Sequence, residues 1–332
     1  MTGTAGPSAP QAPFRVTEGR LSPGQAEQVL SLAAAAQAAD GVAPLSESVL
    51  LQVRHGSGPL TRDLLLTVGD TTAGYVHLDE PDAEADDAGD AGAVSGELVV
   101  HPAHRRRGYG TALISAAMSA VTTGTNGTTG AAGAAGHGIR IWAHGDLPAA
   151  AALARSAGFT RFRALWQMRM SLADRVLPSP VFPAGVTLRT FRPGQDEDEW
   201  LAVNSRAFAH HPEQGSWTRE DLEIREAEPW FDPGGFFIAE REGRMAGFHW
   251  TKVHPAGDEG APMGEVYVVG VDPARQGGGL GRALTLAGVA HLQHLGLPEV
   301  MLYVDESNVP AVTMYASLGF GRWHTDVMYR HP

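Results

Sequence analysis

The residues best placed to do chemistry lie in one glycine-rich stretch. Residues 265–284, E-V-Y-V-V-G-V-D-P-A-R-Q-G-G-G-L-G-R-A-L, pass from a β-branched run through Asp272-Pro273 into Gln276-x-x-Gly279-x-Gly281, and then into an apolar helical spacing. Glycines at the first turn of a helix leave backbone N–H groups bare, where the unpaired donors and the positive dipole end favour a pyrophosphate. A P-loop needs Gly-Lys-Ser/Thr after its glycines, which Gly281-Arg282-Ala283 does not supply. A dinucleotide fingerprint needs Gly-x-Gly-x-x-Gly, which Arg282 interrupts. A diphosphate ligand of another kind is therefore expected here. The chain has no cysteine, which excludes disulfides and a cysteine nucleophile, and its cations are 24 Arg and one lysine, Lys252.

The elements that hold this stretch follow from pattern. Ser22-Pro23-Gly24-Gln25 has the form of a capping box with proline in the first turn, so a helix is expected to about Ala39, with a second short helix after Pro44. Residues 64–78 read as a hairpin around Gly69-Asp70. Further on, a short strand is expected near Thr187 and helices over 200–208 and 218–226. Strands are expected over 236–240 and 245–253, the second ending near Lys252. After the glycine helix come a buried strand over 300–304, a helix over 309–318 and a final strand over 320–329. Residues 1–12 are rich in Pro, Gly and Ala and are expected to be disordered. Residues 80–92 carry six carboxylates without apolar neighbours to fix them, so they read as a solvated loop and no metal site is expected.

The glycine motif occurs twice. His101-Pro102-Ala103-His104-Arg105-Arg106-Arg107-Gly108-Tyr109-Gly110 repeats it, with Gly108 and Gly110 lying 171 positions before Gly279 and Gly281. Ser156-Ala157-Gly158-Phe159 echoes Ser317-Leu318-Gly319-Phe320 at an offset of 161. The longer first copy accommodates a low-complexity insert at 122–138. Pro178, Pro180 and Pro183 mark an extended linker at 173–185. The expected organisation is a disordered N-terminus (1–12), a first domain (13–172) and a second domain (186–332), each a mixed α/β unit.

Bulk composition sets the remaining limits. A chain of 332 residues, 43% hydrophobic and 19% charged, is long enough for two ordinary globular domains. Its formal charge of −12 argues against nucleic acid or an anionic membrane as partner. The N-terminus has neither a basic region nor an apolar core, so a cytoplasmic protein is expected, and a monomer.

The spacing Q-x-x-G-x-G resembles the signature of the GNAT acetyltransferases, whose loop and helix hold the pyrophosphate of acetyl-CoA while the preceding strand holds the pantetheine arm. The tandem repeat narrows this resemblance. The stretches D-G-V-A-P (40–44), E-L-V-V-H-P (97–102), W-A-H-G (142–145), H-P-E-Q-G (211–215), W-F-D-P (230–233), G-F-H-W-T-K-V-H-P (247–255) and G-E-V-Y-V-V-G-V-D-P (264–273) resemble the mycothiol synthase family along nearly the whole chain. The long insert, the acidic loop and a short connection between His294 and Val300 depart from it. The implied fold is α/β (mixed α+β): two tandem GNAT domains, each a mixed, mostly antiparallel sheet flanked by helices.

That resemblance implies an acetyl-CoA-dependent N-acetyltransferase, without a metal, acting on the cysteinyl amine of cysteinyl-glucosaminyl-inositol as the last step of mycothiol biosynthesis. It carries the acetyl-CoA contacts onto Val269, Gly270 and Val271; onto Gln276, Gly277, Gly278, Gly279, Leu280, Gly281 and Arg282; and onto Asn308, Val309, Pro310, Ala311, Val312 and Thr313. In the first copy the matching positions are Leu98, Val99 and Val100, with Arg106, Arg107, Gly108, Tyr109, Gly110 and Thr111. The acceptor is implied at Glu47, Glu213, Lys252, Glu265 and Tyr303. Glu265 is the implied base and Tyr315 the acid that protonates the departing thiolate. An ungapped alignment of the copies sets Val94 opposite Glu265, Glu97 on the other face, and Ala154 opposite Tyr315, so only the second copy is expected to catalyse. Two alternatives stay open from sequence: a tandem acetyltransferase for another small amine or a protein N-terminus, and a CoA-binding sensor without turnover.

Overall fold

The computed structural model describes residues 13–332 except 57, 59, 81–92, 125–137, 210–211 and 257–260. The expected disorder of 1–12 and most of the acidic loop and of the low-complexity insert lie outside the described residues. Residues 122–124 are described, and they still belong to a helix rather than to a loop. The chain forms two compact units, residues 1–164 with 325–332, and residues 165–324.

Unit 1 contains β1 (Phe14–Glu18), α1 (Pro23–Asp40), α2 (Glu47–His55), β2 (Thr61–Val68), β3 (Thr71–Asp79), β4 (Val94–Val100), α3 (Tyr109–Gly124), β5 (Ile139–Ala143), α4 (Pro148–Ser156) and the beginning of β6 (Thr160–Ser171). The capping box at Ser22 forms, with Ser22 N–H donating to Gln25 Oε1 at 2.8 Å, and α1 ends on left-handed Gly41. Alternation along the strands then divides the core. Leu65, Tyr75 and Val99 meet Val29, Leu32 and Ala36 of α1, while Leu64, Leu66 and Val76 meet Leu113 and Ala117 of α3.

Unit 2 contains the rest of β6, then β7 (Val186–Thr190), α5 (Glu197–Ala207), α6 (Pro212–Gly215), α7 (Arg219–Glu226), β8 (Phe236–Arg241), β9 (Arg244–His254), β10 (Met263–Val271), α8 (Leu280–His294), β11 (Glu299–Asp305) and α9 (Val309–Leu318). β12 (Gly321–His331) begins in unit 2 and finishes in unit 1. One sheet face of unit 2 packs Val266, Val300, Leu302 and Met168 against Leu286, Val289 and Leu292 of α8 and Tyr315 and Leu318 of α9. The approach of α8 to the sheet is close: a Cβ on Gly288 would land on the ring of His249. That ring, wholly buried, donates its Nδ1–H to Leu284 O at 2.7 Å, and burial pushes its pKa down to about 4.

The strand order in unit 1 is β1-β2-β3-β4-β5-β12, and in unit 2 it is β6-β11-β10-β9-β8-β7. Among the described residues these strands pair antiparallel except β4 with β5 and β10 with β11, which are parallel. The units therefore differ from the copies read at 13–172 and 186–332. The final strand of the first copy, β6, pairs with β11 of the second (Tyr303 opposite Gln167), and the final strand of the second, β12, pairs with β5 of the first (Tyr329 opposite Ile141). Each parallel pair thus takes the last strand of the other copy as its outer partner, which leaves no open edge there. Among the described residues no helix is long and apolar enough to cross a membrane.

Candidate active site

The glycine stretch folds into an anion cradle. Asp272 closes β10 by accepting from Ala274 N–H at 2.9 Å and from Arg206 of α5 at 2.6 Å. Burial opposes its charge, but the bonds from Arg206 and Ala274 outweigh burial and hold the carboxyl below its usual range. Gly277, Gly278 and Gly279 follow with φ of 107°, 60° and 81°, three left-handed positions that side chains resist. No side chain caps α8 at Gly279, and a Cβ on Gly277 or Gly279 would meet nothing within 4 Å. Uncapped N–H groups facing open space suit a diphosphate.

A slot adjoins the cradle. β10 and β11 pair in parallel only from Met263 opposite Glu299 to Val266 opposite Leu302. Beyond a bulge at Val266/Val268, β10 stays paired to β9, with Val268 opposite Trp250 and Val271 opposite Gly247. Its other edge, carrying Val269, Gly270 and Val271, is not paired to β11, and an open edge of this kind suits an extended ligand arm, which can pair with backbone as an added strand does. Asn308 caps α9 by accepting from Ala311 N–H at 3.2 Å, which sets 309–313 in the first turns of that helix, and Arg282 donates to Ser317 at 2.7 Å to tie α8 to α9.

Of the implied groups, Glu265, Lys252 and Tyr303 lie on the strands that form this slot. Glu265 is 7% exposed, its Oε2 is 2.7 Å from His254 Nε2, and its strand partner is Lys252. Lys252 is also 7% exposed, so it is not a surface charge; its Nζ sits 4.2 Å from the Trp230 ring centroid and 5.2 Å from that of Tyr267. Side chains in register share a sheet face, so Lys252, Glu265 and Met301 form one row, and Tyr303, 42% exposed, shares that face two residues along β11. Tyr315 is buried on the opposite face, edge-on to Phe320, and burial pushes its hydroxyl pKa up, so it stays protonated. Glu213 lies in α6, and Glu47 opens α2 in unit 1. His254, Trp230 and Tyr267 escaped the sequence reading, since ring and charge are brought together from three separate elements.

Two family models match, "Acetyltransferase (GNAT) family" over residues 200–320 and "Acetyltransferase (GNAT) domain" over 63–161. The chain is 58% identical to the mycothiol acetyltransferase of Thermobispora bispora, over 94% of this chain and 97% of that protein. It is 53% identical to that of Streptomyces avermitilis over 93% and 92%. The chain belongs to the mycothiol acetyltransferase family. Among solved structures, a GCN5-related N-acetyltransferase from Sphaerobacter thermophilus is 27% identical with a TM-score of 0.66, covering 97% of this chain and 96% of that one. A tandem GNAT protein from the clavulanic acid pathway, 21% identical with a TM-score of 0.68 over 96% and 98%, has the same fold. Members of the GNAT family take acetyl-CoA as co-substrate, and the uncapped helix and open strand edge fit it.

Within this acetyltransferase the first copy repeats the frame with different chemistry. β4 and β5 pair from Val94 opposite Ile139 to Glu97 opposite Trp142 and then part. A cavity of about 520 Å³ opens there, lined by Leu98, Val99, Val100, Arg106, Gly108, Tyr109, Gly110 and Thr111 among others. Counting five residues along β3 from Gly74 opposite Val100 reaches Asp79 opposite Ser95; the same count along β9 from Gly247 opposite Val271 reaches Lys252 opposite Glu265. Ser95, and not Val94, therefore stands in the place of Glu265; the bulge in β10 adds the one residue that an ungapped alignment lacks. Glu97 consequently shares the face of Ser95, contrary to expectation. It is committed, accepting from Ser46 N–H at 2.6 Å and lying 3.5 Å from His144 Nε2, whose Nδ1 is 3.0 Å from Asp326. Arg105 is committed too, in a two-pronged bond to Asp40 at 2.7 Å on each prong.

Proposed function

We propose that unit 2 transfers the acetyl group of acetyl-CoA to the cysteinyl amine of cysteinyl-glucosaminyl-inositol, completing mycothiol in the cytoplasm. The observation that carries this reading is the buried Glu265–Lys252 pairing of adjacent strands beside the parted edge of β10.

The acceptor amine is largely protonated at neutral pH and attacks only when neutral. Glu265, directly or through a water, takes its proton, and the His254 contact orients the carboxylate. The amine nitrogen then bonds to the thioester carbonyl carbon while N–H groups near Val269 polarise the carbonyl oxygen. The C–S bond breaks as the attached nitrogen releases its second proton to solvent, and Tyr315, kept protonated by burial, gives a proton to the sulfur and is reprotonated from solvent. Lys252 and Tyr303 orient the polar parts of the acceptor. The absence of cysteine leaves direct transfer in a ternary complex as the simplest route. On this reading unit 1 binds acetyl-CoA without turning it over, since Ser95 and Ala154 replace the base and the acid.

The decisive assay follows acetyl-CoA consumption with cysteinyl-glucosaminyl-inositol against a panel of simple amines; equal rates for all would refute the assigned acceptor. Replacing Glu265→Gln is expected to lower kcat by about 10² to 10⁴, the range for a general base, while the KM for acetyl-CoA stays near its starting value. Unchanged turnover would remove Glu265 from the mechanism.

A further inference from the structure

The face of unit 2 that carries Glu265 continues past β11 onto β6. Met301, the register partner of Glu265, is in turn the partner of Arg169, and Tyr303 is the partner of Gln167. Met168 and Met170, which alternate with them along β6, pack in the core, so Gln167 and Arg169 share the face of Glu265 and Tyr303. Their side chains form one connected array. Gln167 Nε2 donates to Tyr303 Oη at 2.8 Å, Arg169 Nε donates to Gln167 Oε1 at 3.0 Å, and the Arg169 guanidinium lies 4.5 Å from the ring centroid of Trp323. The acidic group near Arg169 is Glu299, at 4.0 Å, the limit of an ion pair. Trp323 is 57% exposed.

We propose that Gln167, Arg169 and Trp323 form a polyol subsite that binds the ring portion of the acceptor, so that the first copy takes part in substrate recognition through β6. This rests on the reading that unit 2 acetylates an amine linked to two polyol rings. A sugar or cyclitol presents hydroxyl edges and apolar C–H faces together. Planar donors fixed by mutual hydrogen bonds serve the edges, and an exposed indole serves the faces. Arg169 stands two strands from Glu265, about 10 Å at the spacing of neighbouring strands. That distance suits an acceptor whose amine is held at Glu265 and whose rings lie beyond the cysteinyl group. A solvated sheet surface requires neither the linked array nor a tryptophan left in water.

The test compares two acceptors, cysteinyl-glucosaminyl-inositol and L-cysteinamide, which carries the same amine without rings. Gln167→Ala, Arg169→Ala and Trp323→Ala are each expected to raise the KM for the ring-bearing acceptor by about tenfold, the worth of one hydrogen bond or ring contact, with kcat little changed. The KM for acetyl-CoA and the kcat/KM for L-cysteinamide are expected to stay at wild-type values, which also reports correct folding. Equal losses on both acceptors, or no loss on either, would overturn the proposal. Wild-type protein that does not distinguish the two acceptors would overturn the assigned function and this subsite with it. Wild-type protein that distinguishes them, with variants that still do so fully, overturns the subsite alone.

Discussion

Lys252 shows how much a single residue's surroundings decide. The only lysine of the chain sits buried over Trp230 and Tyr267, beside the strand partner Glu265. Lys252→Ala is expected to cost about 1–2 kcal/mol of stability from the lost ring contacts and to raise the acceptor KM more than that of acetyl-CoA. Loss of stability without a kinetic effect would make the residue purely structural. His144 offers a second, independent test. Burial disfavours its cation, but Asp326 and Glu97 outweigh that and raise its pKa to about 10. A histidine whose folded pKa is raised stabilises fully below its ordinary value near 6.5, and that contribution fades as pH climbs through about 10. Thermal unfolding followed from pH 6 to 10 should therefore show a falling melting temperature, flattened in His144→Gln; identical profiles for the two proteins would exclude this account.

Among elements, the two cradles allow a matched comparison. Gly108 and Gly279 are both left-handed, with φ of 76° and 81°, so a tryptophan at either place carries similar backbone strain. Gly279→Trp is expected to abolish acetyl transfer, and Gly108→Trp to leave most of it; comparable losses in folded variants would show that both cradles work in catalysis. The cradle, the hairpin of β2 and β3 and the capping box of α1 were all legible in the sequence, because each is fixed by residues within a few positions of one another. The bulge in β10 was not, since Y-V-V reads equally well as a regular strand, and it moved the counterpart of Glu265 from Val94 to Ser95. The aromatic seat of Lys252 and the array from Tyr303 to Trp323 were equally hidden, because they depend on which strand lies beside which. β1, β5 and α4 carried too little pattern to announce themselves between low-complexity neighbours.

At the scale of the whole molecule, the exchanged strands set what can be separated. Cutting the chain in its proline-rich linker would leave β5 without residues 327–331 and would leave β6 without β11. Fragments 1–172 and 186–332 are therefore expected to be insoluble or unfolded when expressed singly, and to recover acetyl transfer when expressed together. A fragment that stays monomeric alone, with native circular dichroism and cooperative melting, would sink this expectation. The same exchange bears on descent. A duplicated gene usually frees one copy to decay, yet here deletion of the first copy would also remove the strand that borders β11. Selection on either copy thus reaches into the other, and the duplication, once its strands had crossed, could no longer be undone by losing either part.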